Sequence, residues 1–338
     1  MAKALDQFSR PLRDLRISVT DQCNFRCAYC MPKEIFGPDY AFLPKSKVLS
    51  NLEILRIAQS FCELGVEKIR LTGGEPLLRS DLVELVSSLK KETSIRDLSL
   101  TTNASLLPRY ASKLKEAGLD RINISLDSLK DDTLEKMSGR KTKATTVLKG
   151  IDSALSVGLK TKVNMVVKKG VNDSEIISMA TEMRQRAITL RFIEYMDVGN
   201  TNQWKLDEVV SVDSILNKLS EHFSFESLKP TYKGEVASRF KYKDINSEFG
   251  IINSVTKPFC SNCNRARLSA DGKLFTCLFA SKGTDIRSVV RKEISSKELT
   301  ELLYSIWNKR DDRYSELRSN SSNELNSEPR VEMSYIGG

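Results

Sequence analysis

Apolar and polar residues alternate over short segments in the first two thirds of the chain, and helical patterns separate these segments. Alternation is typical of a half-buried strand, and apolar residues three or four positions apart are typical of an amphipathic helix. Six strands are predicted in this way, over residues 13–20, 67–72, 97–103, 120–127, 160–168 and 188–196. Because helical crossovers between strands make the strands parallel, the pattern predicts an α/β fold with a parallel sheet.

The helices of these units have recognisable start and stop signals. Ser50 and Glu53 have the spacing of a capping box, which begins a helix after the first strand. The apolar side of that helix is predicted to comprise Leu52, Leu55, Ala58, Phe61 and Cys62. A glycine is expected in the left-handed conformation just past three helix ends, at Gly65, Gly118 and Gly158.

Polar segments lie where the predicted strands end. They read TDQCN, GGEP, TTN, SLD, KVN and EYMDVGN in chain order. In a (β/α) barrel all of these strand ends point to one mouth, where active sites are built. A doubly wound sheet builds its site from fewer strands at one switch point. Six contributing strands therefore favour an incomplete, TIM-like (β/α)6 barrel.

The pattern changes from about residue 205. A helix over 211–221, antiparallel strands within 231–244 and 249–255, a hairpin turn at Asp271-Gly272 and a last helix over 296–310 are predicted. This indicates a C-terminal α+β region. The chain is accordingly divided into a barrel over 1–204, an α+β region over 205–314, and a polar, mobile linker with a Gly-Gly tail over 315–338.

Composition narrows the function classes. The chain has 338 residues, 40% of them apolar and 29% charged, with no signal-peptide pattern and no membrane-length apolar run, so we expect a cytoplasmic globular protein. The net charge of +9 indicates a polyanionic partner, either nucleic acid or a small phosphorylated substrate. His222 is the only histidine, which argues against Ser-His-Asp hydrolases and H-E-x-x-H metalloproteases.

Three cysteines stand close together after the first strand, at Cys23, Cys27 and Cys30. Three thiolates suit a 4Fe–4S cluster whose fourth iron is open to a small chelating molecule. The alternatives are buried structural cysteines or a zinc site that pairs this C-x2-C with a second C-x2-C further along the chain. The zinc alternative leaves Cys23 and Cys277 without a role.

A second set of three cysteines, Cys260, Cys263 and Cys277, flanks the predicted hairpin. No histidine or cysteine near these three supplies a fourth ligand, and Cys62 is assigned to core packing. Arg265 and Arg267 alternate onto one face of a strand, where planar guanidinium groups suit phosphate oxygens.

Basic residues are also predicted to point into the barrel. Leu15 and Ile17 would face the helices, which leaves Arg16 inward, and Arg70 and Lys162 likewise lie on barrel strands. Buried cations are unfavourable unless an anion meets them. Together with the two arginines near the second cysteine set, they predict a polyanion pocket.

The first cysteine set, with Tyr29 before its last cysteine and GGEP one unit later, resembles the signature of radical S-adenosylmethionine (SAM) enzymes. A second three-cysteine set containing R-x-R, and a chain ending in Gly-Gly, resemble the GTP 3′,8-cyclase family of molybdenum cofactor biosynthesis. The resemblance extends from Arg10 to Gly338. Ala104 and Ser9 stand where many relatives have glycine, at positions that touch no ligand.

This resemblance implies two 4Fe–4S clusters, SAM and GTP. The first cluster would be held by Cys23, Cys27 and Cys30, with Tyr29, Gly74, Ser125 and Met196 around SAM. The second cluster would be held by Cys260, Cys263 and Cys277 and would meet the guanine base. GTP would contact Arg16, Arg70, Thr101, Lys162, Arg265 and Arg267, and the Gly337-Gly338 tail would enter the active site.

The implied reaction begins with a 5′-deoxyadenosyl radical from SAM, which takes hydrogen from C3′ of the ribose. The C3′ radical attacks guanine C8, and reduction gives 3′,8-cyclo-7,8-dihydro-GTP. Cyclic pyranopterin monophosphate synthase would be the downstream partner, an unidentified protein the electron donor, and a homodimer the expected assembly.

Two other functions remain open. Another radical SAM enzyme with an auxiliary cluster, such as a peptide modifier, is disfavoured by Arg265, Arg267 and the Gly-Gly end. A zinc-containing nucleic-acid-binding protein would explain the positive charge, but it leaves GGEP without a role and lacks an aromatic-rich basic strand for stacking bases. No nucleic acid or membrane partner is therefore expected.

Overall fold

The computed structural model describes residues 3–232, 234–257, 260–292, 294–317 and 330–337. Six strand–helix units occupy its first part. They comprise β1 Asp14–Ser18, α1 Asn51–Glu63, β2 Lys68–Thr72, α2 Leu82–Glu92, β3 Asp97–Thr102, α3 Ala111–Glu116, β4 Arg121–Ser125, α4 Asp131–Ser138, α5 Ala144–Ser156, β5 Lys160–Val167, α6 Ile176–Gln185 and β6 Thr189–Glu194.

The later part of the chain is mixed. It comprises α7 Val212–Ser220, β7 Phe225–Leu228, β8 Ser238–Tyr242, β9 Glu248–Ile252, β10 Arg265–Leu268, β11 Lys273–Phe275, β12 Thr284–Asp285, α8 Arg287–Val290, α9 Ser296–Asn308, α10 Tyr314–Leu317 and α11 Met333–Ile336. The predicted hairpin at Asp271-Gly272 joins the antiparallel β10 and β11.

All strands belong to one 12-stranded sheet in the order β12-β11-β10-β1-β2-β3-β4-β5-β6-β9-β8-β7. The six strands of the predicted barrel are parallel, and the predicted α/β fold is confirmed. Strands of the later part extend the sheet at both edges, since β10 pairs in parallel with β1 and β9 with β6. The division of the chain at residue 204 stays a prediction.

The α1 helix shows why the units form where predicted. The Ser50 hydroxyl accepts a hydrogen bond from Glu53 N at 3.2 Å, and the Glu53 carboxylate accepts one from Ser50 N at 2.7 Å, so the capping box is confirmed. The prediction for Leu52 is wrong, because its side chain is 71% exposed. Leu52 lies about 200° around the helix axis from the buried Ile54, which faces the sheet instead.

The core is one continuous layer between sheet and helices, and it contains Leu15 and Ile17 of β1. Gly65, Gly118 and Gly158 have φ of 106°, 97° and 68°, which confirms the predicted left-handed turns after three helices. In the part of the chain described, no helix is both long and apolar enough to cross a membrane. The linker predicted over 315–329 lies outside the described residues from 318 onward, and Gly338 also lies outside them.

Candidate active site

One cavity of about 680 Å³ is lined by residues from both ends of the parallel strands, from Asp14 and Lys68 at their amino ends to Cys23 and Gly74 beyond their carboxyl ends. Nearly every residue predicted to bind a cluster, SAM or GTP lines it. These residues are Arg16, Cys23, Cys27, Tyr29, Cys30, Arg70, Gly74, Thr101, Ser125, Lys162, Met196, Cys260, Cys263, Arg265, Arg267 and Cys277. The sheet thus brings together two cysteine sets that are far apart in the chain.

The first cysteine set is held in a tight loop. Cys30 N and Met31 N both donate to Cys27 O, at 2.9 and 2.8 Å. The buried Arg26 donates to Cys23 O at 2.6 Å and to Phe36 O at 2.6 Å, which fixes the loop from behind. These hydrogen bonds hold the loop from which all three cysteines line the cavity.

Burial disfavours the charged form of these thiols. It raises the pKa of Cys23 to about 11, and the pKa values of Cys27 and Cys30 are raised by burial and then by the neighbouring cysteines. All three are free cysteines. Bound iron would stabilise the thiolates, so this donor set fits an iron–sulfur cluster.

The GGEP segment packs directly on the loop that carries the first cysteines. Gly74 N donates to Thr20 O at 2.9 Å and Glu75 N donates to Gln22 O at 2.8 Å. A Cβ on Gly74 would overlap the Gln22 carbonyl oxygen. Glycine is therefore required by this close approach of two backbone segments.

Glu75 ties the same segment to the end of β3. Its buried carboxylate accepts hydrogen bonds from the Thr102 hydroxyl at 2.7 Å and from Asn103 N at 2.8 Å. The sequence interpretation did not assign this residue. The sequence could have indicated its role, because Glu75 lies in one of the polar segments that follow the strands.

Asp127 is another residue that the sequence interpretation missed. The Tyr29 hydroxyl donates to its carboxylate at 2.8 Å, and Val166 N donates to it at 2.9 Å. Burial raises the pKa of Asp127 to about 6. This link holds the aromatic ring of the first cysteine loop against the ends of β4 and β5.

A row of buried cations crosses the other side of the cavity. In the strand register Arg16 of β1 lies between Arg70 of β2 and Arg267 of β10. Burial and then the charges of Arg267 and Arg70 lower the pKa of Arg16. Arg16 Nε, Arg70 Nε and Thr101 Oγ1 are buried without a hydrogen-bond partner among the described residues, which suits an anionic ligand.

The cations continue onto β5 and β6. Burial, followed by the charges of Arg191 and Arg121, lowers the pKa of Lys162 to about 8. Arg191 also lines the cavity, and it donates to Asn123 Oδ1 at 2.5 Å. Arg191 was not predicted, although it alternates with the buried Leu190 and Phe192 as Arg16 does with its neighbours.

The second cysteine set occupies a less uniform environment than the first. Burial alone would raise the pKa of Cys263, but the charges of Arg265 and then Arg310 lower it to about 6. Burial instead raises the pKa of Cys277 to about 12. Within the described ranges, no three His, Cys, Asp or Glu side chains are grouped closely enough to hold a single metal ion.

The C-terminal tail reaches the basic row. Arg267 Nη1 donates to Gly337 O, and Ile336 is fully buried. Gly337 has φ of 73°, and a Cβ there would overlap the Thr72 side chain. The position of Gly338 falls outside the described residues.

Comparisons with known proteins match the whole chain. The family described as "Radical SAM superfamily" matches residues 17–183, and "Molybdenum Cofactor Synthesis C" matches residues 188–316. A protein named GTP 3′,8-cyclase from Staphylococcus haemolyticus is 48% identical over 339 residues and covers 100% of both chains. Its namesake from Staphylococcus epidermidis is 48% identical over 334 residues and covers 98% of each chain.

Solved structures with the same fold are more distant in sequence. Streptococcus suis SuiB bound to S-adenosylmethionine has a TM-score of 0.61 at 15% identity, covering 94% of this chain and 69% of that one. The same protein bound to precursor peptide SuiA has a TM-score of 0.60 at 17% identity, covering 91% and 66%. At this identity the likeness concerns the fold alone.

Proposed function

The chain belongs to the GTP 3′,8-cyclase family of radical SAM enzymes, and from that premise we propose which residues carry each part of the reaction. The enzyme cyclises GTP in molybdenum cofactor biosynthesis, using SAM and iron–sulfur clusters. The observation that carries the assignment is that both cysteine sets and the basic row line one cavity.

Cys23, Cys27 and Cys30 would hold the first 4Fe–4S cluster. Their buried, free thiols and the Arg26 hydrogen bonds to their loop support this role. Bound there, the cluster and SAM supply the radical that takes hydrogen from C3′ of the ribose. Four further cavity residues would contact SAM, namely Tyr29, Gly74, Ser125 and Met196.

The basic row would bind the triphosphate of GTP. Arg16, Arg70, Lys162, Arg265 and Arg267 present cations from four strands to one space, with Thr101 among them. A bound triphosphate would supply hydrogen-bond acceptors for Arg16 Nε, Arg70 Nε and the Thr101 hydroxyl, which are buried without a hydrogen-bond partner among the described residues. Phosphates bound here would point the ribose and base toward the two cysteine sets.

Cys260, Cys263 and Cys277 would hold the second 4Fe–4S cluster, with its open iron toward guanine. Their positions in the cavity lining and their free thiols support this role. With the base held at this end of the cavity and the phosphates held by the basic row, the protein would fix the positions of guanine C8 and ribose C3′, the two carbons that react.

Gly337 and Gly338 would close the site. The Gly337 carbonyl accepts a hydrogen bond from Arg267, so the tail touches the proposed phosphate clamp. A tail in this position would exclude water while a carbon radical is present and orient Arg267 toward GTP. This would make the two glycines part of the catalytic machinery.

The wider cellular arrangement is also proposed. Cyclic pyranopterin monophosphate synthase would take up the product, an unidentified protein would donate electrons, and the enzyme would act as a homodimer. Free cysteines and iron–sulfur clusters suit the reducing cytoplasm. We also propose that the three parts of the chain have separate functions: the barrel over 1–204, the α+β region over 205–314, and the linker and tail over 315–338.

Selective removal of each cysteine set tests the two cluster assignments. Replacing Cys23, Cys27 and Cys30 by alanine should abolish 5′-deoxyadenosine formation from SAM under anaerobic, reducing conditions. Replacing Cys260, Cys263 and Cys277 should leave the first cluster loaded but stop cyclisation of GTP, read by mass spectrometry. Retained SAM cleavage in the first variant, or retained cyclisation in the second, would refute the corresponding assignment.

A further inference from the structure

A buried ion triad lies beneath the second cysteine set. Asp6 Oδ2 accepts from Arg10 Nε at 2.6 Å and from Arg310 Nη1 at 3.0 Å. The side chains of Asp6, Arg10 and Arg310 are 0%, 2% and 1% exposed. The triad therefore joins the N-terminal segment to the chain just after α9, and Arg310 also lines the cavity.

The two arginines also donate to the backbone of the cysteine segments and to Asp312. Arg10 Nη1 donates to Cys260 O at 2.8 Å, and Arg310 Nη1 donates to Cys263 O at 2.9 Å. Arg310 Nε donates to Thr276 O at 3.0 Å, next to Cys277. Asp6 thus orients both guanidinium groups, Asp312 Oδ2 accepts a further hydrogen bond from Arg310 Nε at 3.3 Å, and the two arginines contact the backbone at or beside all three cysteines.

Packing holds the triad rigidly. The Arg310 guanidinium lies over the Trp307 ring, 4.6 Å from its centroid, and Trp307 Nε1 donates to Arg10 O at 3.2 Å. Asp6 also accepts from Arg10 N at 2.8 Å, which folds the N-terminal segment onto itself. Rotation of either guanidinium would break hydrogen bonds at both of its ends.

Stability alone is a weak explanation for this arrangement. Desolvation of a buried triad offsets most of its electrostatic attraction, and apolar replacements are often neutral or stabilising. Arg10 Nη2 is in addition buried without a hydrogen-bond partner among the described residues. The neighbouring Nη1 of the same guanidinium donates to Cys260 O, so this unpartnered donor belongs to a group that contacts the second cysteine set.

We propose that Asp6, Arg10 and Arg310 are positioning residues for the second iron–sulfur cluster. They hold the segments of Cys260, Cys263 and Cys277 in the geometry that takes up the cluster, and the Arg310 guanidinium, which donates to Cys263 O, favours the reduced form of the cluster. The inference rests on the proposed assignment of that cluster to these cysteines. It makes the N-terminal segment part of the second cluster site.

The test isolates the second cluster on the full-length chain. In a parent protein with Cys23, Cys27 and Cys30 replaced by alanine, we would compare Arg310→Gln, Arg310→Lys and Asp6→Asn after anaerobic reconstitution. Arg79→Gln is the matched control, because Arg79 is 9% exposed and donates to a backbone carbonyl, Val19 O, at 3.0 Å. The measurements are bound iron, the rate of iron loss to a chelator, and the midpoint potential of the cluster.

Removal of a residue that orients metal ligands typically weakens metal binding about ten- to a hundredfold. Arg310→Gln should therefore lose iron at least about tenfold faster than the parent and shift its midpoint potential downward. Arg310→Lys keeps the charge but cannot bridge the Cys263 and Thr276 carbonyls, so it should lose iron quickly while its potential shifts less. Asp6→Asn should also lose iron faster, and Arg79→Gln should behave like the parent.

The outcomes separate the inference from its premise. A parent that binds no iron would refute the cluster assignment itself. A parent that binds iron while Arg310→Gln and Arg310→Lys match Arg79→Gln in iron loss and potential would show that the triad is only structural. If Arg310→Gln does not fold, Arg310→Lys and Asp6→Asn give the same decision.

Discussion

Arg16 and Arg267 lie side by side in the register of two parallel strands, β1 and β10, although they belong to opposite ends of the chain. Each lines the cavity, and the charge of Arg267 helps to lower the pKa of Arg16. Two buried cations on neighbouring strands repel each other, and an anion bound beside them would relieve that repulsion. The proposed phosphate site at this pair would therefore come at the expense of the stability of the unliganded protein.

Replacing Arg16 by methionine should act in opposite directions on stability and binding. Loss of a charge-assisted hydrogen bond of about 1.5–3 kcal/mol would weaken GTP binding about ten- to a hundredfold. The unliganded protein should at the same time melt at a higher temperature, since one repelling cation is gone. Calorimetric titration and thermal unfolding measure the two effects.

Arg96→Met is the control for that pair of measurements, because the Arg96 side chain is 81% exposed. It should change neither GTP affinity nor melting temperature appreciably. Equal GTP affinity in Arg16→Met and Arg96→Met would contradict a phosphate clamp at Arg16.

Lys162 should make GTP binding depend on pH. Its pKa is lowered to about 8 in the unliganded protein, mainly by burial, and bound phosphates would raise it again. GTP affinity should thus fall as the pH rises above 8, and Lys162→Met should bind more weakly with a flatter profile. Binding measured between pH 7 and about 9.5 tests this, and parallel profiles for the two proteins would argue against it.

The same lysine predicts a pH dependence of folding. Between pH 8 and the ordinary lysine pKa of 10.5, the unfolded chain keeps the Lys162 proton while the folded chain has lost it. Because the unfolded state then binds more protons, the free energy of unfolding of the unliganded protein should rise with pH across this window. Denaturant titrations at pH 7.5 and about 9.5 should show the rise in the parent and a smaller one in Lys162→Met.

Gly337→Ala should block cyclisation without unfolding the barrel. A Cβ at Gly337 would overlap the Thr72 side chain, and its φ of 73° is unfavourable for alanine. Thr72→Ser removes the methyl group that causes the overlap, so the double variant should recover part of the activity. Product formation and thermal unfolding are measured together. Full activity of Gly337→Ala would show that the tail has no role in cyclisation.

Gly74→Ala should displace the first cysteine loop, since its Cβ would overlap the Gln22 carbonyl oxygen. We expect loss of 5′-deoxyadenosine formation and about half of the bound iron, with the second cluster retained. Gly158→Ala is the control: its φ is 68°, but a Cβ there meets nothing within 4 Å. Its expected cost is about 1–3 kcal/mol of stability, with both clusters loaded.

Local sequence patterns were sufficient for much of this arrangement. Alternation along β1 placed Leu15 and Ile17 in the core and Arg16 in the cavity, as the structure has them. The cysteine spacings also identified both candidate cluster sites, because each set of ligands lies in one short segment or hairpin. Leu52 shows the limit of such patterns, since its apolar character did not determine which side of α1 faces the sheet.

Contacts between distant segments were beyond this reasoning. Nothing local to β9 or β10 specifies that they extend opposite edges of the barrel sheet, because strand partners depend on the whole topology. The triad of Asp6, Arg10 and Arg310 was missed for the same reason. Arg191 could have been predicted from the sequence, because it lies between the apolar Leu190 and Phe192 on β6 just as Arg16 lies between Leu15 and Ile17 on β1.

The central proposal is that this cavity holds GTP with its ribose C3′ next to the SAM that supplies the radical. GTP deuterated at C3′ tests it directly, in anaerobic incubation of the two-cluster protein with SAM and a reductant. We expect the deuterium to appear in 5′-deoxyadenosine and to be absent from the cyclised product. In Arg16→Met, at GTP concentrations below the dissociation constant of that variant, neither labelled 5′-deoxyadenosine nor the cyclised product should form. Unlabelled 5′-deoxyadenosine beside a cyclised product that keeps its deuterium would contradict it.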